Sequence, residues 1–170
     1  MIILGIDPGT KSTGLCLLSY EGDTSTIIKT QTITTPPDFD IIRRVCCIFD
    51  AVEDVVMENA PDLIGVEDFS YQGRNITLDA QGVNRVIGAL YLLSERRCPI
   101  VMLGAADWKF ALSRNVPLSA GKKSIDFAVW LSIELRTLHS FGKTAKQHEI
   151  DAAGVALVAG DRFYLTPKAV

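Results

Sequence analysis

The sequence predicts an α/β fold built on a five-stranded mixed sheet with helices on both faces. Three strand-like segments at the start of the chain are joined by short turns, which favours an antiparallel meander. Two further short apolar segments then alternate with helical segments, which favours parallel strands. The rest of the chain is mostly helical. This order of segments carries the fold prediction.

The five strands are predicted from apolar or β-branched runs that end at turn residues. Residues 2–6 are a continuous apolar run that ends at Asp7-Pro8-Gly9-Thr10, and residues 25–34 are rich in Thr and Ile. These properties are typical of a buried strand and of a more exposed strand, respectively. The predicted strands are residues 2–6, 14–20, 25–34, 63–66 and 100–103.

The helices are predicted from apolar residues at helical spacing between proline boundaries. Pro36-Pro37-Asp38 starts the first helix, and Pro61 stops it. The last helix carries several alanines, which allow it to approach the sheet closely. The other predicted helices are residues 78–97, 107–112, 119–138 and 147–160.

Length and composition indicate one domain over residues 1–170 of a cytoplasmic protein. No basic segment precedes the apolar N-terminus, and no apolar run approaches the roughly 20 residues of a membrane helix. The net charge of −3 does not favour a nucleic-acid partner. Residues 1–84, however, hold 5 basic and 13 acidic residues, whereas residues 85–170 hold 12 basic and 7 acidic ones. The second half could therefore face phosphates.

Three acidic elements are predicted to meet at one edge of the sheet. Asp7 follows the first strand and Glu67 follows the fourth. If these strands are adjacent and parallel, the two carboxylates lie together, because sites in open α/β sheets form outside the strand ends. His148 and Asp151 are three residues apart at the start of the last helix, so they share one helix face.

Such a set of carboxylates and one imidazole predicts a site for two divalent ions. Carboxylate oxygens suit Mg²⁺, and an added histidine makes Mn²⁺ acceptable. Two ions about 3.5–4 Å apart can clamp the attacking and leaving oxygens of a phosphodiester. Without metal, mutual repulsion between the acids should raise their pKa values. Each element alone has an ordinary structural interpretation as a turn, a solvated strand end or a helix start; it is their combination that favours a metal site.

The three elements resemble the motifs of RuvC Holliday-junction resolvases. Gly5-Ile6-Asp7-Pro8-Gly9-Thr10, followed by Gly14, resembles the opening motif of that family. Ile64-Gly65-Val66-Glu67 resembles its second motif, and His148-x-x-Asp151-Ala152 its third. The resemblance spans nearly the whole chain in order and spacing.

The resemblance implies an RNase H-like fold, a homodimer, and Mg²⁺-dependent cleavage of four-way DNA junctions that leaves 5′-phosphate ends. It assigns metal binding to Asp7, Glu67, His148 and Asp151. It also assigns phosphate neutralisation to Lys122 or Lys123. In the loop after Glu67 it assigns DNA contacts: Phe69 and Tyr71 to stacking on an unpaired base, and Arg74 to a phosphate. This loop and the acidic balance depart from the bacterial pattern, which favours a phage or divergent member.

Three alternatives stay open at this point. A sister nuclease resembling YqgF, which processes ribosomal RNA precursors, has similar motifs. The Asp-x-Gly-Thr segment at Asp7 also resembles the phosphate loop of sugar-kinase, actin and Hsp70 ATPases, which need a second such domain and a second loop. A non-catalytic junction-binding protein would need a broken acidic set, whereas here the set is intact.

Overall fold

A computed structural model describes residues 1–69, 78–96, 98–114, 125–137 and 146–165. The predicted order of strands and helices is confirmed in these ranges. The elements are β1 (Ile2–Asp7), β2 (Ser12–Ser19), β3 (Thr26–Thr34), α1 (Ile41–Asn59), β4 (Leu63–Asp68), α2 (Leu78–Arg96), β5 (Ile100–Gly104), α3 (Ala105–Ser113), α4 (Ile125–Arg136) and α5 (Gln147–Leu165).

The sheet is mixed, as predicted, with the strand order β3-β2-β1-β4-β5. β1, β2 and β3 pair antiparallel, whereas β1 with β4 and β4 with β5 pair parallel. The assumed adjacency of the first and fourth strands is therefore confirmed. Ile6 is aligned with Val66, so the residues that follow them, Asp7 and Glu67, emerge side by side.

The predicted bounds of three helices were wrong. α3 runs from Ala105 to Ser113 rather than over residues 107–112. α1 begins at Ile41 rather than at the prolines, because the side chain of Asp40 accepts a hydrogen bond from the Arg43 backbone N–H at 2.8 Å and caps the helix there. α5 continues past Gly160 to Leu165. The Tyr20 hydroxyl donates to Asp161 at 2.7 Å, which ties the added turn to the end of β2. Of the predicted helix 119–138, the described part is α4.

Helices cover the two faces of the sheet as two separate apolar layers. One layer combines the inward side chains of α3, α4 and α5 with one face of the sheet. The other combines α1 and α2 with the opposite face. In the described part of the chain, no helix has the length and apolar character needed to cross a bilayer.

α5 lies unusually close to the centre of the sheet. A Cβ atom at Gly5 of β1 would come 2.0 Å from the carbonyl oxygen of Ala152 and 2.8 Å from the Cβ of Ala156. Only glycine leaves room for this approach. The predicted role of the alanines of α5 is confirmed, since Ala152, Ala153 and Ala156 are fully buried. The close packing brings the start of α5 to the ends of β1 and β4.

Candidate active site at the ends of the parallel strands

Asp7 and His148 are in direct contact although 141 residues separate them. The Nδ1 atom of His148 lies 2.5 Å from Oδ2 of Asp7. The Asp7 side chain is 14% exposed and that of His148 46%. The strand end and the start of α5 thus converge, as the sequence predicted. Because this contact uses only Nδ1 of the imidazole, Nε2 can bind a second partner.

Asp151 lies one helical turn further along α5 and faces a lysine that sequence analysis did not single out. The Lys109 ammonium, from α3, is 3.6 Å from Oδ2 of Asp151. The side-chain amide of Gln147 donates to Oδ1 at 2.8 Å. Lys109 also lies 5.1 Å from the centre of the Trp108 ring. The Lys109 ammonium therefore stands within the acidic site, held between a carboxylate and an aromatic face.

Glu67 is held by Trp108, the second residue of the site that the sequence did not reveal. The buried indole Nε1–H donates to Oε2 of Glu67 at 3.0 Å. The only sequence signal was a Trp-Lys pair on the short helix that follows β5. Within that pair, the Trp108 indole donates to Glu67 and the Lys109 ammonium lies near Asp151.

The carboxylates of the site repel one another, as predicted. The pKa of Glu67 is raised to about 7, first by burial and then by the negative charge of Asp7. Asp151 also raises the pKa of Glu67, whereas the Trp108 hydrogen bond and the Lys109 charge lower it. Glu67, Asp7 and Asp151 thus form one electrostatic cluster. Such a cluster favours a cation, which would stabilise the ionised form of Glu67.

The side chains of the site suit hard divalent ions, but some of them must rotate before an ion can bind. Carboxylate oxygens and one imidazole nitrogen suit Mg²⁺ or Mn²⁺. Within the described ranges, however, no three His, Cys, Asp or Glu side chains are grouped closely enough to hold an ion. Asp7 is engaged by His148, and Asp151 by Lys109 and Gln147. Binding of an ion would require rotation of side chains that now engage these two carboxylates.

Of the other predicted site residues, the structure describes Phe69 alone. Phe69 comes directly after β4 and is 39% exposed, so its ring is accessible next to Glu67. Four predicted site residues lie outside the described residues, and their roles stay predictions: Tyr71, Arg74, Lys122 and Lys123.

Comparison with known proteins places this chain among relatives that share one family description. The sequence model of the family described as crossover junction endodeoxyribonuclease RuvC matches residues 3–158. The RuvC protein of Salinibacter ruber is 28% identical over 162 residues, which cover 95% of this chain and 86% of that protein. The RuvC protein of Syntrophomonas wolfei is 28% identical over 155 residues, which cover 83% of this chain and 90% of that protein.

Solved structures share the fold. RuvC of Thermus thermophilus in complex with a Holliday junction substrate superimposes with a TM-score of 0.76 at 24% identity, covering 96% of this chain and 94% of that one. The yeast mitochondrial Holliday junction resolvase Ydc2 superimposes with a TM-score of 0.63 at 16% identity, covering 93% of this chain and 77% of that one. The predicted RNase H-like fold is confirmed by these similarities.

Proposed function

The chain belongs to the RuvC family of crossover junction endodeoxyribonucleases, and we propose that it cuts four-way or related branched DNA with two divalent ions bound at the ends of β1 and β4. One observation carries the proposal. Asp7, Glu67 and the start of α5 come from distant parts of the chain, yet His148 contacts Asp7, and both Asp7 and Asp151 influence the pKa of Glu67.

The ions would be held by Asp7, Glu67, His148 and Asp151. Asp7 contacts His148 and its charge acts on Glu67, so it would contribute to holding both ions, with Glu67 helping to hold one and His148 and Asp151 the other. When bound, Mg²⁺ or Mn²⁺ would offset the negative charge that develops around the scissile phosphate. Burial first, and then the negative charges of Asp7 and Asp151, raise the pKa of Glu67, and a bound cation would offset these effects by stabilising the ionised carboxylate, which supports this assignment.

In the proposed reaction, water attacks phosphorus in line with the 3′ oxygen and releases one proton, the bond from phosphorus to the 3′ oxygen breaks, and that oxygen takes up a proton. The products are a 5′-phosphate and a 3′-hydroxyl. Lys109 supports the reaction as a positive charge within the site, 3.6 Å from Asp151 and 27% exposed. It can neutralise a non-bridging phosphate oxygen, a role that the sequence had suggested for Lys122 or Lys123.

The DNA contacts and the assembly are also proposed. Phe69 follows Glu67 by two residues and exposes its ring, so it can stack on an unpaired base at the junction centre. We propose that Tyr71 and Arg74 extend this contact to a second base and a phosphate. The protein would act as a homodimer with one site in each copy, because two symmetric nicks require two sites. Residues 1–170 would form a single nuclease domain.

A cleavage assay tests the proposal with end-labelled four-way junction, flap, duplex and structured RNA, each with Mg²⁺, Mn²⁺ or EDTA. We expect paired nicks in the junction that leave 5′-phosphate ends, and no cleavage in EDTA. Asp7→Asn should lower the cleavage rate by about 1000-fold, because it removes a carboxylate that would hold the ions, while junction binding persists.

The matched control is Asp54→Asn, which makes the same chemical change at an exposed position of α1. It should leave cleavage unchanged. Cleavage in EDTA, or full activity of Asp7→Asn, would exclude the proposed metal site. Preferential cleavage of the structured RNA would instead favour the ribosomal RNA alternative.

A further inference from the structure

The first turn of α5 lies across three neighbouring strands along one row of the sheet. In that row, Asp7 of β1 is aligned with Gly14 of β2, and Gly14 is aligned with Thr32 of β3. His148 reaches the β1 end of the row at Asp7. The next residue, Glu149, reaches the β3 end. There its Oε1 accepts a hydrogen bond from the Thr32 hydroxyl at 2.7 Å.

Glu149 is held at β3 by both of its oxygens. Oε2 accepts a second hydrogen bond, from the Thr30 hydroxyl at 3.2 Å. Thr30 and Thr32 point to the same face of β3, because side chains alternate along a strand. A carboxylate that accepts two hydroxyl hydrogen bonds is fixed in both position and rotation. Glu149 is thus bound to the edge strand, on the far side of the row from Asp7.

Between these two ends the backbone of α5 rests on β2. A Cβ atom at Gly14 would come 2.0 Å from the carbonyl oxygen of His148. Any larger residue at this position would push the helix start off the sheet. The first turn is therefore seated at three points: a side chain on Asp7, a backbone carbonyl on Gly14 and a side chain on Thr32.

Successive residues of an α-helix point about 100° apart. Anchoring Glu149 to β3 therefore sets the rotation of the first turn, and that rotation sets the direction of His148. The first turn of a helix lacks part of its backbone hydrogen bonding and frays easily, so a side-chain anchor there has a direct effect.

We propose that Glu149 is a positioning residue: by binding Thr30 and Thr32 it holds the start of α5 in the rotation that places the His148 imidazole on Asp7. Glu149 itself contributes no group to the site, because both of its oxygens are engaged at β3. The importance of this contact for catalysis rests on the proposed metal site. The positioning of His148 does not depend on that site.

The test reads the His148 imidazole directly in metal-free, DNA-free protein by ¹⁵N and ¹H NMR. The chain has only two histidines, so His139→Gln identifies the signals of His148. We expect Glu149→Ala and Thr32→Val to shift these signals towards those of a solvent-exposed imidazole. Glu149→Gln and Thr32→Ser, which keep an oxygen acceptor and a hydroxyl, respectively, should retain the wild-type signals.

A second readout is the Kd for Mn²⁺ alone, followed by electron paramagnetic resonance. Loss of a residue that orients a ligand weakens metal binding by about 10- to 100-fold, and we expect that increase in Kd for Glu149→Ala. Glu58→Ala, the same change at an exposed position of α1, is the matched control and should leave both readouts unchanged. If Glu149→Ala does not fold, Thr32→Val and Thr32→Ser make the same comparison from the other partner.

Unchanged His148 signals and an unchanged Mn²⁺ Kd in Glu149→Ala or Thr32→Val would overturn the inference. So would equal losses in Glu149→Ala and Glu149→Gln, because these would indicate a role for the charge rather than for the anchor. If the wild-type protein cut no DNA while the His148 signals moved as expected, the proposed function would fail and the positioning role would stand.

Discussion

The two faces of the sheet are packed with side chains of different size. On the α5 side the contact is made largely by small residues, and the helix backbone approaches the strands directly at Gly5. On the α1 and α2 side the contact is made largely by branched aliphatic side chains. The buried residues that compose it on these two helices include Ile48, Val52, Val55, Val56, Leu90 and Leu93.

The two faces therefore have different roles: the α5 side positions the site, and the α1 and α2 side stabilises the fold. Backbone that rests on backbone has no rotatable side chain to absorb a shift, so the sheet directly limits where α5 can lie. His148 and Asp151 are both carried by α5. Branched aliphatic side chains bury more apolar area than alanine and glycine and can repack around a change, so the opposite face contributes stability without fixing the site.

Gly5→Ala should produce the largest effect on cleavage. The added methyl group would meet the carbonyl oxygen of Ala152, which directly follows Asp151, and would push α5 away from β1. A displacement of about 1 Å in an active site can cost 100-fold in rate, and we expect a loss of that order. The measurement is single-turnover cleavage of a four-way junction, with circular dichroism to show that the protein is folded. A rate near that of the wild type would remove the distinction between the two faces.

Ile48→Ala tests the opposite face and should reverse the pattern. Ile48 is fully buried against the sheet, so its truncation should lower the free energy of unfolding by about 2–5 kcal/mol. Cleavage per folded molecule should not change, because α1 carries no residue of the site. Urea unfolding and the same cleavage assay, both well below the melting temperature, check the two halves of the prediction. A large loss of cleavage in folded protein would mean that α1 also positions the site.

Glu67 should make the stability of the metal-free protein decrease as the pH rises. The folded protein keeps a proton on this carboxyl up to about pH 7, whereas the unfolded chain releases it near 4.5. The folded state therefore binds more protons between these values, and stability falls across this window. After allowance for partial solvent exposure, we expect a loss of roughly 2 kcal/mol.

The measurement is urea unfolding in EDTA from pH 4.5 to 8, comparing the wild type with Glu67→Gln. The difference between the two proteins isolates Glu67 from other titrating groups. The contribution should be present below pH 4.5 and absent above pH 7. A difference that stays constant over this range would show that the carboxyl has an ordinary pKa.

Trp108→Phe should have the smallest effect. It tests whether the indole hydrogen bond helps to set the pKa of Glu67. Removing the indole N–H removes a hydrogen bond that lowers the pKa of Glu67, so that pKa should rise further. More Mg²⁺ should then be needed for half-maximal cleavage, by up to about tenfold at pH 6 and less at higher pH. Trp130→Phe makes the same change on α4 as a control. An equal requirement for Mg²⁺ at all pH values would argue against this role.

Much of the site could be predicted from single segments. An apolar run that ends in Asp7, another that ends in Glu67, and the spacing of His148 and Asp151 are local patterns that directly indicate strand ends and a helix face. The sequence also predicted repulsion between these acids, and the charge of Asp7 does raise the pKa of Glu67, although burial, which the sequence argument did not consider, raises it more.

The partners of these residues were not predictable in the same way. In the sequence, Trp108 looks like an ordinary core residue and Glu149 like a solvated acid at a helix start. In the structure, Trp108 donates a hydrogen bond to Glu67, 41 residues away. Glu149 accepts one from Thr32, 117 residues away. The register across β1, β2 and β3 decides which threonine lies beneath Glu149. Likewise, the packing of α3 brings Lys109 to Asp151.

The sequence by itself determined the fold class, the strand ends and the acidic residues that meet there, because hydrophobic periodicity and residue spacing act over a few neighbouring residues. Only the tertiary structure decided which groups hold those acids in place. Hydrogen bonds and charge interactions act over a few ångströms in space, and no local pattern records which distant residues will come that close.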